Sequence, residues 1–353
     1  VAQMMSLLFI SRSLRQPQVF ETIKTVLCAP NSYIGDTMMY PFPVNLLLDK
    51  ANLKKLKKGF TIEAKGKVFH PFQLKIPIKE IRVLEVLRAN PKSVLVEIIA
   101  HQGPESKMRP MRIVANQGND MRQDVASMLT FRFFNYIWRQ SRLEHEGYSV
   151  RCHAFSTTAT GDGIGAREYV ENCFPLSGIK RIHPLTNEKL GRLIATGAGS
   201  YIAAFVLGIR DRHADNIMIR EDGVMFHIDF GKAFGDMVVM DTSSFAITKG
   251  FRDETGLANY DNFIQCCIKT FRVMREEKNL ALIMNIAPTM FLAIHPAAKV
   301  KSFMSKALML EKDVESACRR LTQKIRNAPE SYKTYFKNAL QSLRAAHGSK
   351  RAL

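Results

Sequence analysis

The texture of the chain changes along its length. Between residues 60 and 116 the apolar residues come in short Val- and Ile-rich runs, "IRVLEVL", "SVLVEII" and "MRIVA". The connectors "RANPK" and "HQGPESKMRP" carry Pro, Gly, Asn and Ser. Runs of that kind between such breakers are strands and turns, here antiparallel. "DVASMLTFRFFNYIWRQS" (124–141) then has apolar residues at helical spacing, and "YSVRCHAFSTT" and "AREYV" again read as strands. From residue 186 on helices dominate: "NEKLGRLIATGAGSYIAAFVLGI", "YDNFIQCCIKTFRVM", "NLALIMNIAPTMFLAI", "VESACRRLTQKIRNA" and "SYKTYFKNALQSLRAA". Strands gathered in one part and helices in another make the chain α+β. The expected division is an N-terminal helical or linker segment (1–60), a sheet-rich N-lobe (61–168) and a helical C-lobe (169–353), with the linker near 165–175. Residues 4–28 read as a helix broken by "APNSYIGD". The 353 residues suffice for two such lobes.

Charge narrows the partners. Lys and Arg number 51 against 32 Asp and Glu, a net charge of +19. That excess favours an anionic partner, a nucleic acid or an acidic lipid leaflet, unless it serves solubility alone. Lys54, Lys55, Lys57 and Lys58 read as a solvated helix face. The six cysteines form no C-x-x-C pair, which argues for reduced thiols in a cytosolic setting and against zinc or a disulfide framework. No apolar run reaches the roughly 18 residues of a membrane span. "MMSLLFI" is too short for a signal peptide. With no Met at position 1, the chain is expected to be a fragment of something longer.

The stretch "LGIRDRHADNIMIREDGVMFHIDFGKAFGD" (207–236) sets polar groups between apolar runs. A core has no use for Asp211, His213, Asn216 and Asp229 at that density. Phosphoryl transfer from ATP does: an Asn carbonyl and an Asp carboxylate are hard oxygen donors for a divalent metal, and a His or Asp can take the acceptor hydroxyl's proton. Asp229 follows Asn216 by 13 residues, enough for a loop and the next strand-turn to converge.

These motifs resemble the catalytic core of the phosphatidylinositol 3-/4-kinase superfamily, which also holds large protein kinases of the same fold. The family's G-x-x-D-R-H-x-x-N-I-M loop and H-I-D-F-G motif are both present here, and the segments 212–219 and 223–231 match without a gap. The resemblance, weaker elsewhere, runs from about residue 85 to 345. It implies a two-lobed protein-kinase-like fold, ATP as co-substrate and Mg²⁺ (or Mn²⁺) as cofactor. It makes His213 the base or proton shuttle, Asp211 the residue that orients the loop and shares that role, and Arg212 a brace. Asn216 and Asp229 become the metal ligands. "GNDMRQD" (118–124) resembles the element that opens the helix behind the nucleotide, with Asp124 near the back of the pocket. "HQGPESKMRPMRI" resembles the phosphate-binding turn, with Ser106 and Lys107 as its candidates. "GDGIGAREYVENC" resembles the strand entering the interlobe linker, where Glu168 and Val170 face adenine through backbone groups and Tyr169 packs beside the base. One position departs. The family's ATP lysine falls eight residues before Asp124, where this chain has Asn116. Either Lys107 or Arg112 supplies the missing charge, or nucleotide binding is altered.

The activation segment (229–251) offers Lys232 and Lys249, opposed by Asp236 and Asp241. So few cations favour plain phosphatidylinositol over its phosphorylated forms. "AGSYIAAFVLGI" and "REDGVMFHIDFG" resemble the 3-kinases, whereas Arg210 and "TSSFAIT" lean to the 4-kinases; the 3-OH is favoured. The last helix groups Tyr332, Tyr335, Phe336, Ala339, Leu340 and Leu343 on one side, with Lys333, Lys337, Arg344, Lys350 and Arg351 around them, the pattern of an interfacial helix or of one packed on its lobe. The expectation is a cytoplasmic lipid kinase, peripheral on the cytosolic face of acidic membranes, with further domains or regulatory subunits outside this stretch and no nucleic-acid partner. The alternatives are a phosphatidylinositol 4-kinase, a related large protein Ser/Thr kinase, and a degenerate kinase fold that binds without turnover.

Overall fold

The structure, a computed structural model, describes residues 43–64, 68–89, 92–100, 110–118, 120–161, 163–236 and 245–339. The expected helix at 4–28, the phosphate-turn candidates Ser106 and Lys107, Asp241 and the chain beyond 339 lie outside these residues. The chain divides into two units. Unit 1 takes the described residues up to Met128 and then Phe155–Val170; unit 2 takes Leu129–Ala154 and the residues from Glu171 on. The sheet-rich part is thus N-terminal and the helical part C-terminal, as in a phosphatidylinositol-3-kinase-like kinase fold.

Unit 1 begins with two short helices, α1 (Pro43–Leu47) and α2 (Lys50–Leu53), the second capped by the Asp49 carboxylate, which accepts from Ala51 N–H at 2.9 Å. Lys54, Lys55, Lys57 and Lys58 are exposed but lie in the turns just past α2 rather than on a helix face. An antiparallel sheet follows, of β1 (Thr61–Glu63), β2 (Phe69–His70), β3 (Gln73–Ala89), β4 (Lys92–Ala100), β5 (Met111–Gln117), then β8 (Thr157–Gly161) and β9 (Ile164–Glu168). Its order is β1-β3-β4-β5-β9-β8, with β2 on β3. The three Val/Ile runs fall in β3, β4 and β5. β-Branched side chains pack well on a pleated face, and Val94, Val96, Ile98 and Ile113 are buried against Val44, Leu47 and Leu48 of the helical lead-in.

Between β5 and β8 runs α3 (Arg122–Gln140), whose last part belongs to unit 2. The predicted strand over "YSVRCHAFSTT" is only partly present. β6 (Glu144–His145) and β7 (Tyr148–Ser149) form a small hairpin, residues 150–156 are irregular, and β8 begins at Thr157. The irregular stretch is held from the side: Asn135 Oδ1 accepts from Cys152 N–H at 2.7 Å, and Asn135 Nδ2 donates to the Cys152 carbonyl at 2.8 Å.

Unit 2 is built on α4 (Asn187–Val206). Thr186 caps its start, its Oγ1 accepting from Lys189 N–H at 3.3 Å. The helix is buried nearly all round from Leu193 to Val206, and its small residues let neighbours come close. A Cβ on Gly199 would stand 2.6 Å from the Arg151 backbone. A hairpin of β11 (Ile217–Arg220) and β12 (Met225–His227), with β10 (Cys173–Pro175) on its edge, lies against α4. Helices α5 (Lys249–Thr255), α6 (Leu257–Arg275), α7 (Glu277–Met290), α8 (Ala297–Ala307) and α9 (Val314–Asn327) follow, and residues 332–339 form a last helical segment, α10.

Candidate active site

The site begins where α4 ends. Gly208, at φ +57°, takes the left-handed conformation that closes a helix, and Ile209 N–H returns to the Ala204 carbonyl at 2.9 Å. The chain then turns through 209–213 into a short 3₁₀ helix, Ala214–Asn216, and on into β11. Asp211 at φ +59° and Asp229 at φ +62° sit in the same left-handed region. For residues other than Gly that conformation costs on the order of 1 kcal/mol or more and persists where surroundings impose it.

Arg212 is what imposes it. The residue is 5% exposed. Nε donates to the Arg210 carbonyl at 3.1 Å, and Nη1 to the Ile228 carbonyl at 2.6 Å and the Asn216 carbonyl at 3.3 Å. Nη2 donates to the Asp229 carbonyl. One side chain therefore ties the Asp211–Asn216 turn to the chain leaving β12. Its planar fork suits backbone carbonyls in a way a lysine would not.

The predicted polar residues fall around this tie. Asn216 is buried; its Nδ2 donates to the Asp211 carbonyl at 3.0 Å, which fixes the amide plane. Asp229 is exposed, and its Oδ1 faces Gly231 N–H at 3.5 Å. His213 is half-buried, and its Nδ1 accepts from Asp215 N–H at 3.3 Å. A neutral ring accepting at Nδ1 carries its proton on Nε2. Burial, with the Arg212 charge second, holds the His213 pKa below its ordinary 6.5. His227, the first residue of the H-I-D-F-G motif, is buried edge-on against Tyr201 at 5.1 Å. Neither of its ring nitrogens has a hydrogen-bond partner among the described residues, and burial pushes its pKa far down.

Two contacts escaped sequence reasoning. Lys337 Nζ lies 2.5 Å from Asp211 Oδ1, and Asn338 Oδ1 accepts from Ala214 N–H at 2.8 Å. Both come from α10. Lys337 is buried, which corrects its placement among the cations flanking an interfacial helix: only Lys333 of the described pair is exposed. The exposed side of α10 carries Tyr332 (77% exposed), Tyr335 (73%) and Phe336. No pattern in the sequence pairs Lys337 with a loop so far upstream.

The remaining candidates belong to other places. Lys232 is exposed and its carbonyl accepts from Arg210 N–H at 2.9 Å; Lys249 is exposed at the start of α5. Asp236 does not oppose them with an open charge, because Lys299 Nζ holds its Oδ1 at 3.0 Å and Ala233 N–H its Oδ2 at 3.1 Å. In unit 1, Asp124 is buried in the first turn of α3. Glu168 ends β9; its N–H donates to the Ser156 carbonyl at 2.7 Å and its Oε2 accepts from Ser156 N–H at 2.9 Å. Tyr169 N–H donates to the Arg112 carbonyl at 3.0 Å, its ring is exposed, and Val170 is half-buried. Asn116 is 5% exposed, with Oδ1 accepting from Ser93 Oγ at 2.8 Å and Nδ2 directed at Met121 Sδ and the Val114 carbonyl.

A divalent cation fits the donor chemistry of unit 2. Asn216 and Asp229 supply an amide and a carboxylate oxygen from turns that Arg212 holds together, and Mg²⁺ needs few protein ligands because it keeps waters and takes phosphate oxygens.

Comparison with known proteins follows the same residues. The family model for phosphatidylinositol 3- and 4-kinase matches residues 191–287. Phosphatidylinositol 3-kinase 2 of Dictyostelium discoideum is 25% identical over 321 residues, 80% of this chain and 17% of that protein. The human phosphatidylinositol 4-phosphate 3-kinase C2 domain-containing subunit beta is 25% identical over 265 residues, 66% of this chain and 16% of its own length. Phosphatidylinositol 3-kinase 1 of Dictyostelium discoideum is 27% identical over 209 residues, half of this chain and 13% of that protein. The chain thus spans less than a fifth of the length of these relatives. The Arg212-tied turn, the β11–β12 hairpin and most of α4 lie inside the matched segment, and these matches support a catalytic domain of the phosphatidylinositol 3-/4-kinase superfamily.

Proposed function

We propose that the chain transfers the γ-phosphate of ATP to an inositol ring hydroxyl of phosphatidylinositol, the 3-OH in preference to the 4-OH. The observation that carries this is the turn in which Arg212 fastens Asp211, His213 and Asn216 to Asp229. The relatives' names, phosphatidylinositol 3-kinases among them, support the reaction class. In the step, the hydroxyl oxygen forms a bond to the γ-phosphorus, the bond from that phosphorus to the β–γ bridging oxygen breaks, and its electron pair leaves with ADP. The hydroxyl proton goes to His213 or Asp211. Mg²⁺ held by Asn216 and Asp229 would neutralise phosphate charge. Neither proton acceptor is idle in this arrangement. Asp211 is held by Lys337, and His213 must give up its contact to Asp215 N–H before Nδ1 can carry a proton and Nε2 accept one. That contact, at 3.3 Å, is long for a hydrogen bond and costs little to release.

The basic surface and the exposed aromatic side of α10 support a peripheral cytosolic membrane setting, where Tyr side chains sit with an apolar body and a polar tip. Lys232 and Lys249 as the exposed cations among the described residues of the activation segment support unphosphorylated phosphatidylinositol as substrate. A second reading, a fold that binds without turnover, draws on Asn116, whose side chain is committed to Ser93 and Met121 instead of offering a charge.

Labelled ATP with phosphatidylinositol vesicles, with the product isomers resolved, tests the reading. Turnover to a 3-phosphate that Asp229→Ala abolishes supports it; product at the 4-position corrects the regiochemistry. Turnover on a protein substrate alone, or on nothing, sinks the lipid-kinase reading.

A further inference from the structure

A cavity of about 330 Å³ lies within unit 2, between the turn after α4 and the helices α8 and α9. Its floor is apolar, with Phe205, Ile209 and Phe303. Its rim is cationic: Arg210, Arg212, Lys306, Lys312, Arg320 and Lys324 line it, with Glu311 as the one carboxylate among the described residues. Arg212 apart, none of these residues belongs to the candidate catalytic set, and the volume is that of a small-molecule site.

Basic side chains on a chain of net charge +19 need no ligand to explain them. Lys306 and Lys324 also stand in the last turns of α8 and α9, where a cation complements the helix dipole. Three further observations separate this place from an ordinary basic surface. First, Arg320 and Lys324 are four apart on one face of α9, a like-charge pair that weakens a helix unless an anion lies between them. Second, among the described residues no carboxylate pairs with Lys306, Lys312, Arg320 or Lys324, while Arg252, Arg272 and Arg326 nearby in the chain are each paired.

Third, the walls are fixed and the repulsive groups turned away. A Cβ on Gly208 would stand 2.2 Å from the Phe303 ring, so the turn and α8 meet as closely as a glycine permits. The carbonyls at the C-terminal end of α8 would repel an anion. Those of Leu308 and Met309 are taken by Arg275 Nη1 at 3.0 and 2.9 Å, and that of Lys312 by Arg275 Nη2 at 2.8 Å. Arg275 thereby clamps the 308–312 turn and leaves its side chains to face the cavity.

We infer that this cavity is a binding site for a phosphate-bearing ligand, a compact polyanion whose charges meet the rim and whose body or attached chain rests on Phe303 and Ile209. Cations converging from four segments of chain suit several phosphate oxygens better than one carboxylate. The inference does not depend on phosphoryl transfer.

Titration calorimetry of the full chain with sodium tripolyphosphate, in low and in physiological salt, tests it. Arg320→Gln/Lys324→Gln should weaken binding about tenfold or more, since each lost charge-assisted contact is a strong one. Lys306→Gln/Lys312→Gln, on different elements, should do the same, so misfolding of one pair leaves the other to decide. Lys54→Gln/Lys55→Gln, exposed and far along the chain, should leave binding within twofold. Flotation with phosphatidylcholine vesicles containing phosphatidic acid identifies the source. Capture lost in the rim variants points to a headgroup, and capture unaffected by them points to a soluble phosphate compound. No heat with tripolyphosphate, or equal weakening by the Lys54/Lys55 pair, overturns the inference.

Discussion

Lys337 Nζ stands 2.5 Å from Asp211 Oδ1, so the helix at 332–339 reaches back and occupies the carboxylate that opens the candidate catalytic turn. With Asn338 bound to Ala214 N–H, α10 is fastened to that turn at two consecutive residues. Lys337→Met removes the charge and keeps the length. Because Asp211 is part-exposed, the pair contributes only about 1 kcal/mol. Amide exchange over 332–339 should then quicken roughly fivefold to tenfold. Unchanged exchange would show that Asn338 and the apolar contacts hold the helix without the ion pair.

The titration of His213 gives a second prediction. Burial first, and the Arg212 charge second, lower its pKa from 6.5, so the ring stays neutral through pH 6.5 and charges only at lower pH. If the neutral ring takes part in turnover, kcat should hold as pH falls past 6.5 and decline only below the depressed pKa. His213→Ala should lower kcat by roughly 10²-fold and remove that acid limb. A limb centred at or above 6.5, or one that survives in His213→Ala, assigns the proton to another group.

Asn116 offers a double-mutant cycle. Asn116→Leu leaves the buried Ser93 hydroxyl without its acceptor and should cost about 1–3 kcal/mol in denaturant unfolding. Ser93→Ala in the same chain removes the orphaned group and should recover part of that loss. Strict additivity of the two substitutions would mean that the 2.8 Å contact does not couple them.

Acid should reach unit 1 through His70. The residue is 2% exposed, Nδ1 accepts from Phe72 N–H at 3.2 Å, Nε2 has no partner among the described residues, and burial lowers its pKa to about 4. The folded state refuses a proton that the unfolded state takes at 6.5. The stability present above pH 6.5 is therefore lost as pH falls toward 4, by on the order of 3 kcal/mol for this group. His70→Gln should flatten that part of the stability–pH curve relative to the parent. Parallel curves would place the acid sensitivity elsewhere.

Much of the fold was legible because apolar spacing reports which face an element buries. The runs at 81–87, 93–99 and 111–115 fall inside β3, β4 and β5, and α4 begins one residue after the threonine that caps it. The stretch at 148–158 misled because alternation marks half-buried strand, whereas 150–156 is irregular, held by Asn135, and pairs with no strand among the described residues. At the site, D-R-H and H-I-D-F-G announced the polar residues, since local motifs carry local turns. The Lys337–Asp211 and Asp236–Lys299 pairs were invisible, because a surface helix spends lysines freely and nothing local marks the one that turns inward.

The division of unit 1 bears on how the chain is made. β9 lies between β5 and β8 in the sheet, yet the stretch joining β5 to these strands passes through unit 2. A nascent chain that has finished β5 must therefore wait for Ile164–Glu168 to emerge. At about 5–20 residues per second, that leaves the β5 edge without its β9 neighbour for several seconds. An open apolar edge of that duration invites pairing with another chain. The expected demand is for a chaperone early in synthesis, or for slow translation placed after residue 168 and not before it.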